Sequence, residues 1–230
     1  MRRRSFVTTL LATPFVSRAH ASTYFKSDLE LWAGLDKSGS MVKIHESSSF
    51  SHWDIQLNGH VQAFQDVHIR QALLDRQTHL RVVAWASITL DFAYEGVLRT
   101  PDDVDAAIEA MERLPGAIPE YPTYPSYVLE RMLKTTPVSR KRVLDISLDQ
   151  VIDHPREVAR IKRFRRQLEH LGTRINVLSI GESLLPRAQS DYLSELLQTQ
   201  TPGSFTYSVG WSPTEYTQGI KRKLQREILS

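Results

Sequence analysis

Hydrophobic positions along this chain follow two alternating periods. Leu29, Leu31, Ala33 and Leu35 recur at every second residue, as in a buried strand. Trp53, Leu57, Val61, Phe64, Val67 and Leu73 recur at three- and four-residue steps up to about Asp75, which predicts an amphipathic helix broken near Gly59 or Val67. Leu80 to Ala86 predicts a second buried strand, and the weaker alternation from Ile88 to Leu98 predicts an edge strand paired with it. Thr100-Pro101-Asp102-Asp103 is a helix start, with an N-cap, a proline at the first helical position and acids in the first turn. That helix runs to about Leu114 and ends at Pro115-Gly116; Ala117 to Pro125 is a loop rich in proline and tyrosine.

Downstream the periods keep alternating. Helices are predicted over Ser126–Lys134, Pro155–Leu171, Pro186–Gln198 and Pro213–Leu229, and strands over Arg142–Ser147, Arg174–Ile180 and Ser204–Val209. Strands that alternate with helices of ten or more residues form βαβ units. The predicted fold is therefore a doubly wound, Rossmann-like α/β domain. Its central sheet is mainly parallel, with one antiparallel edge strand and helices on both faces. No repeat or low-complexity linker divides the chain, so one domain is expected over residues 22–230. Ligands of such sheets bind beyond the carboxyl ends of the strands, where the strand order reverses.

Residues 1–21 stand outside this pattern. Met1-Arg2-Arg3-Arg4 is a positive start, Ser5 to Ser17 is mostly apolar, and Ala19-His20-Ala21 is a small-x-small cleavage site. This is the layout of an export signal, and Arg3-Arg4-Ser5-Phe6 fits the twin-arginine pattern. The expected location is periplasmic or secreted. The full chain has 29 Lys and Arg against 26 Asp and Glu; without the four signal arginines the balance is 25 to 26. A near-neutral mature chain argues against nucleic-acid binding. With no cysteine, neither disulfides nor thiolate metal sites exist. No other segment is apolar over a membrane-spanning length.

The first strand breaks into Asp36-Lys37-Ser38-Gly39-Ser40, where a carboxylate and two hydroxyls project from a turn. Oxygen ligands of this kind suit a small hard cation such as Mg2+, and Gly39 is expected to provide backbone freedom. The same residues also suit an ordinary strand-to-helix turn. Asp149 follows the Arg142–Ser147 strand, and Thr123 precedes a helix, so two acids and three hydroxyls can converge on one crevice.

Asp36-Lys37-Ser38-Gly39-Ser40 matches the Asp-x-Ser-x-Ser motif, and on it the sequence resembles the von Willebrand factor A fold. Together with Asp28–Met41, Arg142–Asp149, Arg174–Gly181 and Gly203–Ile228, it is similar to an exported bacterial A-domain family of unknown function. The resemblance implies a metal-ion-dependent adhesion site. Ser38 and Ser40 would hold Mg2+ (or Mn2+) directly and Asp36 through water or a hydrogen bond. Thr123 would be the loop hydroxyl and Asp149 the second acid. An acidic side chain of a protein or peptide partner would complete the shell. The chain departs from the family pattern at Gln150, where glycine is usual, and at Thr123, which is flanked by prolines. Asp145 and Ser126 are the rivals to Asp149 and Thr123.

Tyr121, Tyr124 and Tyr127 read either as a partner-gripping rim or as packing for the proline-rich loop. His52, His60 and His68 form only a loose stripe, and no zinc motif or G-x-S-x-G elbow is present. Lys162-Arg163-Phe164-Arg165-Arg166 and Lys221-Arg222-Lys223 lie in amphipathic helices, where a solvated face is the default and an acidic partner or anionic membrane the alternative. The expectation is a binding module and not an enzyme. The alternatives are a scaffold with a degenerate site and a hydrolase using Asp36 or Asp149 with metal-bound water.

Overall fold

In the computed structural model, residues 27–44, 49–119, 121–181 and 186–229 are described. Residues 1–21, expected to be an export signal, lie outside them. The order is β1 Leu29–Asp36, α1 His52–Gln65, α2 Val67–Asp75, β2 His79–Ala86, β3 Thr89–Val97, α3 Pro101–Glu112 and α4 Ser126–Lys134. It continues with β4 Lys141–Leu148, α5 Pro155–His170, β5 Arg174–Ile180, α6 Pro186–Leu197, β6 Thr206–Val209 and α7 Pro213–Leu229. The six strands are ordered β3-β2-β1-β4-β5-β6. All neighbours are parallel except β2 and β3, which form the antiparallel edge pair.

Each buried strand sends alternate side chains into two cores. Leu29, Leu31, Ala33 and Leu35 of β1 pack with α1, α2, α3 and α7, while Trp32 packs on the other face with α4, α5 and α6. The 53–75 helix breaks at Asp66, beside Val67. Asp66 has an extended backbone and its carboxylate accepts from the amides of His68 and Ile69, capping α2. Thr100 and Asp103 form the reciprocal capping box that starts α3.

At the amino ends of the strands Glu30 is fully buried between two arginines. It pairs with Arg81 and, at 3.1 Å, with Arg142, and accepts from Trp32 Nε1 at 2.8 Å and the Val138 amide at 3.0 Å. These bonds satisfy a charge that would otherwise be costly to bury. The strand order reverses between β1 and β4, whose carboxyl ends carry Asp36 and Asp149.

Candidate metal-ion site

β1 ends at Asp36, and the chain turns at once into a 3-10 turn over Gly39–Val42. Gln56 of α1 fixes the turn from below: its Nε2 donates to the Asp36 carbonyl at 2.7 Å, and its Oε1 accepts from the Asp36 amide at 3.1 Å. The Ser38 amide donates back to Asp36 Oδ1 at 2.8 Å. The Lys37 ammonium is drawn the other way, to Asp91 of β3 at 2.5 Å, so Asp36 and Ser38 face one side together. Gly39 does not provide positive-φ freedom, contrary to the sequence expectation. It provides space, because a Cβ there would stand 2.1 Å from the Pro119 carbonyl oxygen. Its amide donates to the Tyr121 carbonyl at 2.8 Å, and this close approach brings the proline-rich loop over the turn.

The five sequence-predicted side chains come together. Thr123 Oγ1 donates to Ser38 Oγ at 2.8 Å, Ser38 and Ser40 Oγ lie 3.2 Å apart, and Ser40 Oγ donates to Asp149 Oδ1 at 2.8 Å. Since Ser40 spends its proton on Asp149 and Ser38 accepts from Thr123, Ser38 must be the donor to Ser40. The protons thus run one way, from Thr123 to Asp149. The chain starts at Gln150, whose side-chain amide donates to Thr123 Oγ1. The rivals are placed elsewhere: Asp145 is buried within β4 against Lys223 of α7, and Ser126 donates to Glu157 by both amide and hydroxyl at 2.8 Å.

Asp36 Oδ2 is buried and has no hydrogen-bond partner among the described residues. Burial first, and then the charge of Asp149, push the Asp36 carboxyl up to about 8, against the lowering bonds from Ser38. The described residues hold no group of three His, Cys, Asp or Glu side chains able to bind a metal. The donor set is instead two carboxylates and three hydroxyls, the chemistry of a hard cation. Spacings of 2.8–3.2 Å match the roughly 3.0 Å between adjacent ligands of an octahedral ion with bonds of about 2.1 Å. A cation would also relieve the orphaned Asp36 oxygen, so the residues fit the group.

Two neighbours were not legible beforehand. His52 Nδ1 is 3.9 Å from Asp149 Oδ2, and its ring is stacked 3.7 Å from that of Trp211 in the β6–α7 loop. Nothing in the spacing of His52, Gln56 or Trp211 announces contact with residues as far apart in the chain as His52 and Trp211. On the open side lies a cavity of about 480 Å³ lined by Ser40, Thr123 and Gln150, by Tyr121 and Tyr124, and by residues 151–154. Tyr127 is not in its lining; its ring lies under Arg160 at 4.3 Å.

A family model described as a protein of unknown function, DUF1194, matches residues 26–230. The chain belongs to the DUF1194 family. No curated protein matches it. Among solved structures, this DUF1194 domain is similar to the PilB minor pilin of Streptococcus sanguinis, with TM-score 0.58 and 14% identity over 88% of this chain and 62% of that one. It is similar to a von Willebrand factor type A protein of Catenulispora acidiphila, with TM-score 0.56 and 15% identity over 87% of this chain and 42% of that one. BatB of Bacteroides thetaiotaomicron gives TM-score 0.54 and 13% identity over 88% and 100%. The domain therefore spans less than two thirds of the first two relatives. The fold is that of the von Willebrand factor A domain.

Proposed function

We propose that this chain is an exported protein- or peptide-binding module, in which Mg2+ held by Ser38, Ser40 and Thr123 together with Asp36 and Asp149 takes up a carboxylate of the partner. The observation that carries this reading is the buried, unpartnered Asp36 oxygen beside a second carboxylate and three linked hydroxyls. When bound, the ion supplies positive charge to both buried acids and to the incoming carboxylate. Ser38, Ser40 and Thr123 each keep a lone pair beyond the proton chain. Gln56 fixes the Asp36 backbone so that the acid is presented without rearrangement. The cavity wall of Tyr121 and Tyr124 offers contact area around the incoming side chain. That the fold is shared with a minor pilin is consistent with a role in contact with other proteins. No helix among the described residues is long and apolar enough to cross a membrane.

The test is thermal unfolding of the chain with Mg2+ and with chelator, beside an Asp36→Ala control. Ion at about one hundred times its Kd stabilises the fold by about 2.7 kcal/mol. For a domain of this size that is a rise of roughly 5–10 °C. A rise absent from the variant supports the reading. The bond from Gln150 to Thr123 favours a second reading, a scaffold whose site no longer takes an ion. No shift at millimolar Mg2+ would select it.

A further inference from the structure

The cavity lining runs from Gln150 through Val151, Ile152 and Asp153 to His154, the N-cap residue of α5. Beyond it α5 carries Arg156, Lys162, Arg163, Arg166 and His170, all exposed. At about 100° per residue these side chains and Ala159 fall within an arc of roughly 120°, and the stripe is about 21 Å long. No carboxylate shares the arc. Glu157 is turned inward to Ser126, and Glu169 accepts from the Gln200 amide at 2.7 Å.

Several other basic groups of the surface are neutralised, while Arg131 of α4 and Arg222 of α7, which also form no ion pair with a carboxylate of the described residues, stand singly on separate elements. Arg70 pairs with Asp105, Arg113 with Glu109, Lys221 with Asp66, and Arg160 of α5 itself with Glu130. Arg156, Lys162, Arg163 and Arg166 form no ion pair with a carboxylate of the described residues. Arg163 is in addition laid over the Phe164 ring at 4.6 Å, which restricts its freedom. Four bases along one line with no carboxylate between them are a concentrated positive field that starts at the mouth of the candidate ion site.

We propose that the α5 stripe is the second half of the partner surface. An acidic segment that places one carboxylate at the ion site crosses the cavity and lays further Asp or Glu side chains along Arg156, Arg163 and Arg166. The proposal rests on the ion-site reading. Arginine forks bind carboxylates at two points. An extended chain advances about 3.3–3.6 Å per residue, so about six or seven partner residues span the stripe. An anionic bilayer fits less well, because the only apolar side chains in the arc are the small Pro155 and Ala159, with no large aliphatic or aromatic group to enter it.

The test uses the full chain in Mg2+ at low salt and fluorescein-labelled decaglutamate and tetraglutamate, read by anisotropy. The Arg163→Ala/Arg166→Ala double variant changes exposed positions away from the ion site. Expected are a loss of tenfold or more in decaglutamate affinity in that variant, a much smaller loss for tetraglutamate, and the same weakening of the wild type by added salt. Chelator or Asp36→Ala should remove a further, salt-resistant part of the affinity for both peptides. Equal decaglutamate affinity in wild type and double variant overturns the α5 assignment, whatever chelator does. An affinity that depends on the stripe but not on chelator or Asp36 overturns the ion-site reading and the two-part surface with it. Stripe-dependent binding to phosphatidylglycerol vesicles that exceeds binding to decaglutamate overturns the choice of a protein partner.

Discussion

Ser40 Oγ donates to Asp149 Oδ1 at 2.8 Å across a sequence separation of 109 residues. This bond joins the segments that follow the two parallel strands between which the strand order reverses, and it closes the hydroxyl chain on a carboxylate. Ser40→Ala should leave the fold intact, since Ser40 is half-buried and packs no core. It should abolish most of the Mg2+-induced rise in Tm. An unchanged Mg2+ shift in this variant would remove Ser40 from the ion's shell.

Asp36 makes one contribution to how the metal-free protein responds to rising pH. Its carboxyl is raised to about 8 by burial and by Asp149, above an ordinary value of 3.8. Its contribution is therefore fully present below about pH 4 and is lost as pH rises through about 8, at up to about 1.4 kcal/mol per pH unit. In chelator, this contribution should fall between about pH 4 and 8, so that wild type loses stability relative to Asp36→Asn across that range. Urea unfolding at several pH values decides it; a wild-type slope equal to that of the variant would contradict the assignment.

His60 acts with the opposite sign on the acid side. It is buried, Nδ1 lies 2.9 Å from the Gln56 carbonyl as its donor, and Nε2 has no partner among the described residues. Burial, with the nearby Lys223 charge as a lesser cause, lowers it to about 4 from 6.5. Stability is present above pH 6.5 and lost as pH falls through 4, again at up to about 1.4 kcal/mol per unit. His60→Gln should lose this acid slope, readable as a converging Tm of variant and wild type near pH 4.

Gln150 donates to the same hydroxyl, Thr123, that is expected to face the ion. Gln150→Gly frees that oxygen, and Mg2+ should bind roughly 3–10-fold more tightly, the worth of one net hydrogen bond. Isothermal titration of both proteins measures it. Weaker binding by the variant would show that Gln150 supports the site.

Gly39 sets the distance between the first turn and the Thr123 loop. Gly39→Ala places a methyl 2.1 Å from the Pro119 carbonyl, a backbone atom that has to shift. The expected cost is about 1–3 kcal/mol. The Mg2+ shift should fall with it, because Thr123 is carried on that loop. A variant that loses neither stability nor ion response would refute the packing account.

The amino-acid sequence by itself determined the architecture. Periods of two and 3.6 are local properties, so β1 to β6 and the helices between them were legible, as was the antiparallel edge strand from Thr89 to Val97. The grouping of the candidate donors was legible in part for the same reason: Asp36, Ser38 and Ser40 lie within five residues at a strand end, and Asp149 follows another strand while Thr123 precedes a helix. Only the tertiary structure decided what depends on through-space distance. It placed Asp149 and not Asp145 at the site, because Asp145 points into the α7 side of the sheet toward Lys223. It chose Thr123 over Ser126, which Glu157 takes up, and separated Tyr127 from Tyr121 and Tyr124. It also replaced conformational freedom at Gly39 by close packing, and brought in Gln56, His52 and Trp211, whose roles come from the end of β1, α1 and the β6–α7 loop meeting beyond the carboxyl ends of the strands. Periodicity records which face a side chain takes; it carries no record of which distant partner stands opposite.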